Sequence, residues 1–342
     1  MSILVLGDLF YGYDYISEDI FEISKYIKKN NLKVVLNLEG AITENKSFLI
    51  KKRGEHLAQN INVIEVLKLL NVEGVSLCNN HMFDFGLQGL LDTVRILDEN
   101  GIKHFGAGRN KIEASAPMII KDNNLSYEFY SATDPFEESI CCENDFGCYN
   151  ILDLKNTKLN CSQDTYKIAF LHTGFEYNTF PTKRTIYECR GLVENGFDSV
   201  ICSHPHITQP HEIYMGKSIY YSIGNFYFST DREEFHEKKI RNKKSGFCNI
   251  GIGRVLNGDN TKCIKINYNK DLNISFIDGE VTPDLLEYDQ NDSDYKKKFM
   301  INRNNHNPFL TGEYFKDNVK MFVLNFIYKV YGIVRKLGII RR

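Results

Sequence analysis

The chain contains no tryptophan, only seven prolines among its 342 residues, and no excess of charge of either sign. Its 42 lysines and arginines nearly balance 44 aspartates and glutamates, so the net charge of −2 gives no overall basic field for binding nucleic acid. No run of apolar residues is long enough to span a membrane. Hydrophobic residues make up 42% of the sequence, which excludes a collagen-like or disordered chain and allows a sizeable core.

Cysteine is present, but not in a pattern that builds a disulfide framework or a zinc ribbon. The count is odd and no pair has C-x-x-C spacing, so we expect reduced thiols, as in a cytosolic protein. The apolar run at 2–6 is too short for a signal-peptide core and lacks a basic flank. These features predict a cytoplasmic location. The nine cysteines are Cys78, Cys141, Cys142, Cys148, Cys161, Cys189, Cys202, Cys248 and Cys263.

Apolar strands alternate with amphipathic helices in the first 100 residues. The predicted strands are Ile3–Leu6, Lys33–Leu38 and Val75–Leu77, and the predicted helices begin after Ser17 and cover Ile61–Leu70 and Leu87–Leu97. This order favours a largely parallel sheet with right-handed crossovers.

The second half of the chain continues the pattern less regularly. Further predicted elements are strands at Ile168–Leu171 and Val200–Cys202, a helix at about 184–194, hairpins around Asn123-Asn124 and Gly216-Lys217, and short strands after Gly246. No internal repeat and no clear linker interrupts the series. We therefore predict one α/β domain over residues 1–280 and a C-terminal extension over 281–342.

Polar residues that can bind a metal follow several of the predicted strands. In open α/β sheets, ligands bind beyond the carboxyl ends of the strands, so side chains at those ends converge on one place. A single carboxylate there is more simply a helix cap, but chance caps would not select histidine and carboxylate so consistently. Oxygen and nitrogen ligands without thiolate suit Mn, Fe, Zn or Mg. The residues concerned are Asp8, Glu39, Asn80, His81, His172, His204 and His206.

The strongest local feature is the H-x-H pair of His204 and His206. In an extended chain, residues i and i+2 point to the same side, so the two rings would reach one small volume. Imidazole is a common nitrogen ligand for transition metals. The alternative is a pair of surface histidines in a loop, because a bare H-x-H is a weak motif.

A second feature follows the third strand, where Asn80 offers a neutral oxygen ligand and His81 could either ligate or donate a proton. Asp84, three residues further on, could accept a hydrogen bond from the other ring nitrogen and orient that imidazole. The alternative is a helix start, with Asp84 favoured by the helix dipole. That alternative explains Asp84 but not the Asn80-His81 pair.

Taken in order, these motifs resemble the CapA/PgsA capsule-synthesis family, the poly-γ-glutamate capsule protein domain, which is a branch of the calcineurin-like metallophosphoesterase superfamily. The resemblance covers roughly residues 2 to 230. It implies a four-layer α/β sandwich, in which two mixed β-sheets are flanked by helices and a metal centre lies at the strand ends. The matching blocks are Gly7-Asp8, Asn37–Glu39, Asn80–Gly86, His172–Tyr177, His204–Pro210 and Tyr221–Phe226.

The resemblance also implies roles for individual residues. His81 stands where the superfamily places the histidine that assists the leaving group, and Asp84 would support it. Glu176 is implied to be an extra ligand or a general base. One or two divalent ions are implied, with ligands at Asp8, Glu39, Asn80, His172, His204 and His206.

Two positions depart from the superfamily pattern. Phe10 stands two residues after Asp8, where a histidine ligand is usual, and Met82 follows His81 in place of an acid. Both departures are typical of the CapA branch. Many members of that branch carry an N-terminal membrane anchor, which we do not expect here.

The resulting expectation is a metal-dependent hydrolase of phosphoesterase type that acts in capsule or exopolymer synthesis. Its substrate would be a phosphorylated compound or an anionic polymer, either poly-γ-glutamate or a capsular polysaccharide. The alternative is a non-catalytic accessory subunit that binds polymer or metal beside capsule-assembly proteins. No nucleic acid partner is expected.

The end of the chain, Val319–Arg342, mixes apolar residues with lysines and arginines. That composition fits a basic amphipathic helix lying on a membrane surface, which would make the protein peripheral at the inner face of the membrane. A helix packed on the body of the protein, or in a dimer interface, is the alternative.

Overall fold

The computed structural model describes residues 2–52, 55–122, 125–134, 145–159, 164–176, 178, 180–229, 250–257, 260–267 and 273–277. All of them belong to the unit Met1–Tyr288. The predicted boundary at residue 280 and the predicted helix over 319–342 lie outside the described residues. In the described part of the chain, no helix is both long enough and apolar enough to cross a membrane.

Strands and helices alternate through the first 100 residues, as predicted. The strands are β1 (Ser2–Tyr11), β2 (Leu32–Leu38), β3 (Val72–Ser76), β4 (Lys103–Phe105), β5 (Ala107–Gly108), β6 (Met118–Asp122), β7 (Leu125–Thr133), β8 (Gly147–Cys148), β9 (Thr165–His172), β10 (Ser199–Ser203), β11 (His211–Tyr214), β12 (Lys217–Tyr220), β13 (Asn225–Ser229), β14 (Ile250–Asn257), β15 (Asn260–Asn267) and β16 (Asn273–Ile277). The helices are α1 (Glu18–Lys29), α2 (Val63–Leu69), α3 (Gly86–Glu99), α4 (Lys111–Ser115), α5 (Ile151–Lys155) and α6 (Lys183–Glu194).

The larger strands form two mixed sheets. In the first sheet the order is β16-β15-β14-β1-β2-β3-β4, and β13 also pairs with β1. Neighbours among β1 to β4 are parallel, as is β13, whereas β14 runs antiparallel to β1. In the second sheet the order is β11-β12-β10-β9-β7-β6, with antiparallel β6 and β11 at its edges. The hairpins predicted around Asn123-Asn124 and Gly216-Lys217 are β6–β7 and β11–β12.

Side-chain alternation along β1 explains how the layers stack. Leu4 and Leu6 belong to a core shared with α1, α2 and α3, whereas Ile3 and Val5 belong to a core shared with the second sheet. A third core joins the other face of the second sheet to α4, α5 and α6. Since residues i and i+2 share one face of a strand, each central strand contributes to two cores. The predicted four-layer α/β sandwich is therefore confirmed.

Strand β1 does not end at Asp8, as the apolar pattern predicts, but continues to Tyr11. Its first half pairs with β14, and its second half pairs with β13 from Asp8 onward. The pairing with both β2 and β13 shifts register around Asp8. Asp8 therefore lies at an irregularity inside a strand, where a bulge can redirect a side chain toward a site.

Gly7 allows two backbone segments to meet beside Asp8. A Cβ atom on Gly7 would lie only 1.8 Å from the carbonyl oxygen of Gly224. The N–H of Asp8 donates to that same oxygen at 3.3 Å. A glycine is required at such an approach because any side chain would collide with the neighbouring backbone. The contact brings Asn225 into register with Asp8.

Candidate metal centre

The predicted site residues, apart from Glu176, come together between the two sheets, at the carboxyl ends of the strands. Hydrogen bonds join the sheets there: the N–H of His204 donates to Asp8 Oδ2 at 3.1 Å, and His172 Nε2 lies 2.9 Å from Asn80 Oδ1. Asp8, Glu39 and His172 are almost completely buried. The convergence inferred from the strand ends therefore holds for Asp8 as well, although it lies within its strand.

Asp8, Glu39 and His206 form the first donor group. Their potential ligand atoms all lie within 4.8 Å of one another. His206 Nε2 is 3.9 Å from Glu39 Oε1, and His206 Nδ1 is 3.7 Å from Asp8 Oδ2. Two carboxylates and an imidazole are ligands that Mn, Fe and Zn accept. This group could hold a metal ion.

Asp8 is held in place by the groups around it. Asn37 Nδ2 donates to Oδ1 at 2.7 Å, while Oδ2 accepts the His204 N–H. Burial raises the pKa of Asp8 above its ordinary value, although the charge of His206 and these hydrogen bonds act in the opposite direction. The carboxylate is thus fixed in position but costly to ionise without a cation nearby.

Glu39 is the least satisfied of the three residues. It is fully buried, and neither carboxylate oxygen has a hydrogen-bond partner among the described residues. Burial raises the pKa of Glu39 well above its ordinary value, and the negative charges of Asp8 and Glu176 raise it further. A buried carboxylate without a partner is strongly unfavourable unless a cation or proton compensates it. The first donor group therefore fits a divalent metal ion.

Asn80, His172 and His204 form the second donor group. His172 Nε2 lies 2.9 Å from Asn80 Oδ1 and 3.1 Å from His204 Nδ1. Burial lowers the pKa of His172 well below its ordinary value and that of His204 to about 3, in both cases with help from the charges of neighbouring histidines. Both rings are therefore neutral, which is the form that ligates metals.

The turn that carries the two histidines of the H-x-H motif is not extended, as the i, i+2 argument assumed. His204 and His206 have φ angles of 99° and 59°, in the left-handed region that residues other than glycine rarely adopt. Their ring centroids are 6.1 Å apart. Such strain is typical of functional sites, and here the turn gives each ring to a different donor group.

His81 lies beside the first donor group and is oriented by Asp84. Its Nδ1 is 2.8 Å from Asp84 Oδ2, which also accepts the N–H of Leu57 at 2.7 Å. The Nε2 atom is 3.9 Å from Glu39 Oε1. Burial lowers the pKa of His81, while the Asp84 carboxylate opposes that shift. Helix α3 begins at Gly86, with Phe85 at its N-cap position, so Asp84 serves this imidazole and not the helix start.

Lys52 is a functional candidate that the motifs do not reveal. Its side chain is only 5% exposed, and its ammonium contacts the Asp84 carboxylate. The Nζ atom also lies 3.0 Å from His81 Nδ1. Nothing in the surrounding sequence distinguishes Lys52 from its neighbour Lys51, which is exposed. The pairing appears only when the loop folds back onto the end of β3.

Glu176 is not part of either donor group. It is exposed in the loop after β9, and its charge reaches Glu39 by raising the pKa of that carboxyl. An extra ligand or a general base, as the resemblance implies, stays a prediction for this residue.

The segments that carry these site residues also match a known protein family. The family described as Bacterial capsule synthesis protein PGA_cap matches residues 4–230, which is more than half of the chain. The chain belongs to this family.

In this PGA_cap protein, Phe10 is a buried residue of β1, and its ring centroid lies 5.3 Å from that of Phe228, so this position offers no metal ligand. Met82 is fully buried in the first core, and the acid next to His81 in space is Asp84.

Two relatives of this PGA_cap protein come from Bacillus. The capsule biosynthesis protein CapA of Bacillus anthracis is 26% identical over 228 residues, which cover 64% of this chain and 54% of the relative. The PGA biosynthesis protein CapA of Bacillus subtilis is 27% identical over 217 residues, which cover 62% of this chain and 55% of the relative. The chain thus spans about half the length of these relatives.

One solved structure with a similar chain course is described as a novel phosphatase from Mycoplasma pneumoniae. It is 12% identical, with a TM-score of 0.47, and the alignment covers 81% of this chain and 93% of the phosphatase. At that level of similarity we draw no conclusion about activity.

Proposed function

We propose that this PGA_cap protein is a metal-dependent hydrolase of phosphoesterase type that acts in capsule or exopolymer synthesis. The observation that carries the proposal is the buried, unpartnered carboxylate of Glu39 between Asp8 and His206. A protein that used this pocket only for packing would gain by having an apolar side chain there. The chemistry of these three donors favours Mn, Fe or Zn, with Mg as a further candidate.

The first donor group would bind a metal ion more readily than the second. Because the amide oxygen of Asn80 can only accept, its 2.9 Å contact with His172 Nε2 favours the tautomer in which this nitrogen carries the proton. Ligation through this nitrogen would need the proton to move to Nδ1, which faces Ser203 Oγ at 3.2 Å. Neither carboxylate oxygen of Glu39 has a hydrogen bond to a described residue, so a metal ion bound there would displace none. We therefore propose one tightly bound ion and a second that binds more weakly.

The protein groups around the first donor group would position a substrate and manage its protons. A bound divalent ion supplies an acidified water molecule and stabilises developing negative charge. Asp84 accepts the Nδ1–H of His81 and directs Nε2 toward the space beside Glu39. Lys52 pairs with Asp84 and holds its carboxylate in place. In its imidazolium form, with one proton held between Nδ1 and Asp84 and a second on Nε2, His81 would give the Nε2 proton to a leaving group and return to the neutral ring.

The substrate class follows from the family and stays a proposal. The two Bacillus relatives are named for capsule and PGA biosynthesis. The substrate would be a phosphorylated intermediate or an anionic polymer, such as poly-γ-glutamate or a capsular polysaccharide. The bond cleaved would be a phosphoester or an amide. Capsule-assembly proteins are the partners that this role would require.

Metal content tests the proposal. Protein purified without chelator should contain close to one equivalent of Mn, Fe or Zn per chain by elemental analysis, and His206→Ala should lose it. His204→Ala should affect the weaker site, and both variants should lose turnover of a phosphodiester. His104→Ala is the matched control, because its half-buried ring pairs with Asp98 and belongs to neither donor group. Turnover that survives in both site variants would remove the metal mechanism.

The competing proposal is a non-catalytic accessory subunit with an incomplete metal site. The burial of Phe10 against Phe228 supports it, because this position supplies no ligand to the first donor group. The metal measurement separates the two ideas when it is combined with a substrate screen. Wild-type protein that binds metal tightly but hydrolyses neither phosphoesters nor the capsule polymer would favour the accessory role.

Location is a separate proposal. We propose a cytoplasmic protein that contacts the inner face of the membrane through residues 319–342. The support for a reducing location is the cysteine pattern, an odd count without C-x-x-C spacing. Full-length protein should sediment with anionic vesicles and protein lacking 319–342 should not. Equal sedimentation of both would remove the membrane contact.

A further inference from the structure

Strand β13 brings an amide group to the edge of the first donor group. Asn225 is the register partner of Asp8, on the strand that Gly7 and Gly224 allow to approach. Its side-chain oxygen lies 2.8 Å from His206 Nδ1. Asn225 belongs to a motif that supports the family resemblance, but the sequence alone gives it no role. In the structure its contact with His206 points to a role.

The contact bears on which nitrogen of His206 carries a proton. An amide oxygen can only accept a hydrogen bond, so a 2.8 Å contact with it favours a proton on Nδ1. Asp8 Oδ2, at 3.7 Å from the same nitrogen, favours a proton there too. In a neutral ring, Nε2 then keeps its lone pair. That atom faces Glu39 Oε1 at 3.9 Å.

The ring is also held from a second side by the same strand. Phe228 contacts His206 edge to face, with ring centroids 5.2 Å apart. Phe228 in turn packs on Phe10, the residue that occupies the position of a superfamily ligand. Strand β13 therefore restrains both the rotation of the imidazole and the position of its proton.

We propose that Asn225 is a positioning residue for His206: it holds the ring proton on Nδ1 and so presents Nε2 to a metal ion in the first donor group. Histidine ligands in metal sites commonly donate their second N–H to a carbonyl or carboxylate oxygen, which fixes the tautomer and strengthens the ligand. This inference rests on the proposed metal site. The tautomer itself can be measured without metal.

The experiment uses full-length, chelator-treated protein labelled with ¹⁵N in histidine, at pH 8. Long-range ¹H–¹⁵N correlation reads which ring nitrogen carries the proton, and a His206→Gln variant assigns the signal. In the wild type and in Asn225→Asp, which keeps an acceptor oxygen, the proton should reside on Nδ1. In Asn225→Leu it should shift toward Nε2, and affinity for added Mn²⁺ should fall about 10- to 100-fold. Asn225→Ser, too short to reach the ring, replaces the leucine variant if that chain does not fold.

The outcomes separate this inference from its alternatives. The ring of His104, which pairs with Asp98, is the internal control, and its signals should be the same in every variant. A wild-type His206 protonated on Nε2, or a leucine variant with unchanged tautomer and affinity, overturns the proposal. Loss of affinity with an unchanged tautomer also overturns it, because Asn225 would then act as a ligand. If the wild type binds no Mn²⁺, the proposed metal function fails, and the tautomer readout alone decides the role of Asn225.

Discussion

Replacing Glu39 with glutamine should make the metal-free protein more stable at neutral pH and, in the same variant, remove its stabilisation by Mn²⁺. The carboxylate is fully buried and has no hydrogen-bond partner among the described residues, so its ionisation destabilises the folded protein unless a cation is bound. Glutamine fills nearly the same volume without the charge. The two effects have opposite signs, which few structural substitutions would produce together.

The pH dependence of stability gives the sign of the first effect. Burial raises the pKa of Glu39 above the ordinary value of 4.5. Above pH 4.5 the unfolded chain releases this proton while the folded chain still holds it, so stability falls as the pH rises, until Glu39 ionises in the folded state as well. The loss is about 1.4 kcal/mol for each pH unit between the two pKa values. The glutamine variant lacks this contribution, so its advantage should disappear below about pH 4.

Thermal or urea unfolding with and without Mn²⁺ measures both effects. At a concentration of 100 times Kd, Mn²⁺ should stabilise the wild type by about 2.7 kcal/mol and Glu39→Gln hardly at all. Glu44→Gln is the matched control, because Glu44 lies five residues away and is exposed. It should behave like the wild type with and without the ion. A Glu39→Gln protein that is less stable than the wild type at every pH, or that still gains stability from Mn²⁺, would contradict the assignment of this pocket.

The fold and the convergence of most candidate donor residues could be predicted from the sequence because they depend on local patterns. Apolar runs and helical periodicity identify the strands and helices, and parallel strands bring their carboxyl ends to one edge. That argument needs no long-range contact to be known. It therefore predicts that Asn80 and His172 lie near one another, whereas their 2.9 Å contact joins the ends of β3 and β9, which belong to different sheets, and depends on how those sheets pack.

The contacts that a linear pattern cannot contain were not predictable. Asn225 and His206 are 19 positions apart, and no local pattern predicts their contact. It depends on the pairing of β13 with β1, which joins residues more than 200 positions apart. Lys52 meets His81 across 29 residues of chain, from a loop with ordinary composition. The extension of β1 past Asp8 depends on the same pairing with β13. In each case a tertiary contact decides what the side chain does.

The proposed proton transfer predicts a loss of activity that depends on the leaving group. With a phosphoester of an aliphatic alcohol, His81→Ala should lower kcat by about 10² to 10⁴, because the departing alkoxide would leave without a proton. With a p-nitrophenyl ester the loss should be much smaller, since nitrophenolate is stable as an anion. Metal content should not change, because the described residues whose ligand atoms all lie within 4.8 Å of one another are Asp8, Glu39 and His206, and His81 is not among them.

Kinetics on the two esters, together with elemental analysis, separate His81 as a proton donor from His81 as a ligand. Asp84→Asn should follow the same leaving-group pattern with a smaller loss, because the ring stays in place but loses the carboxylate that accepts its Nδ1–H. His104→Ala, a change at a histidine that pairs with Asp98 outside both donor groups, should leave both rates unaltered. Equal losses on both esters would exclude proton donation to the leaving group. Loss of bound metal in His81→Ala would instead make this histidine a ligand, and the proton would have to come from water.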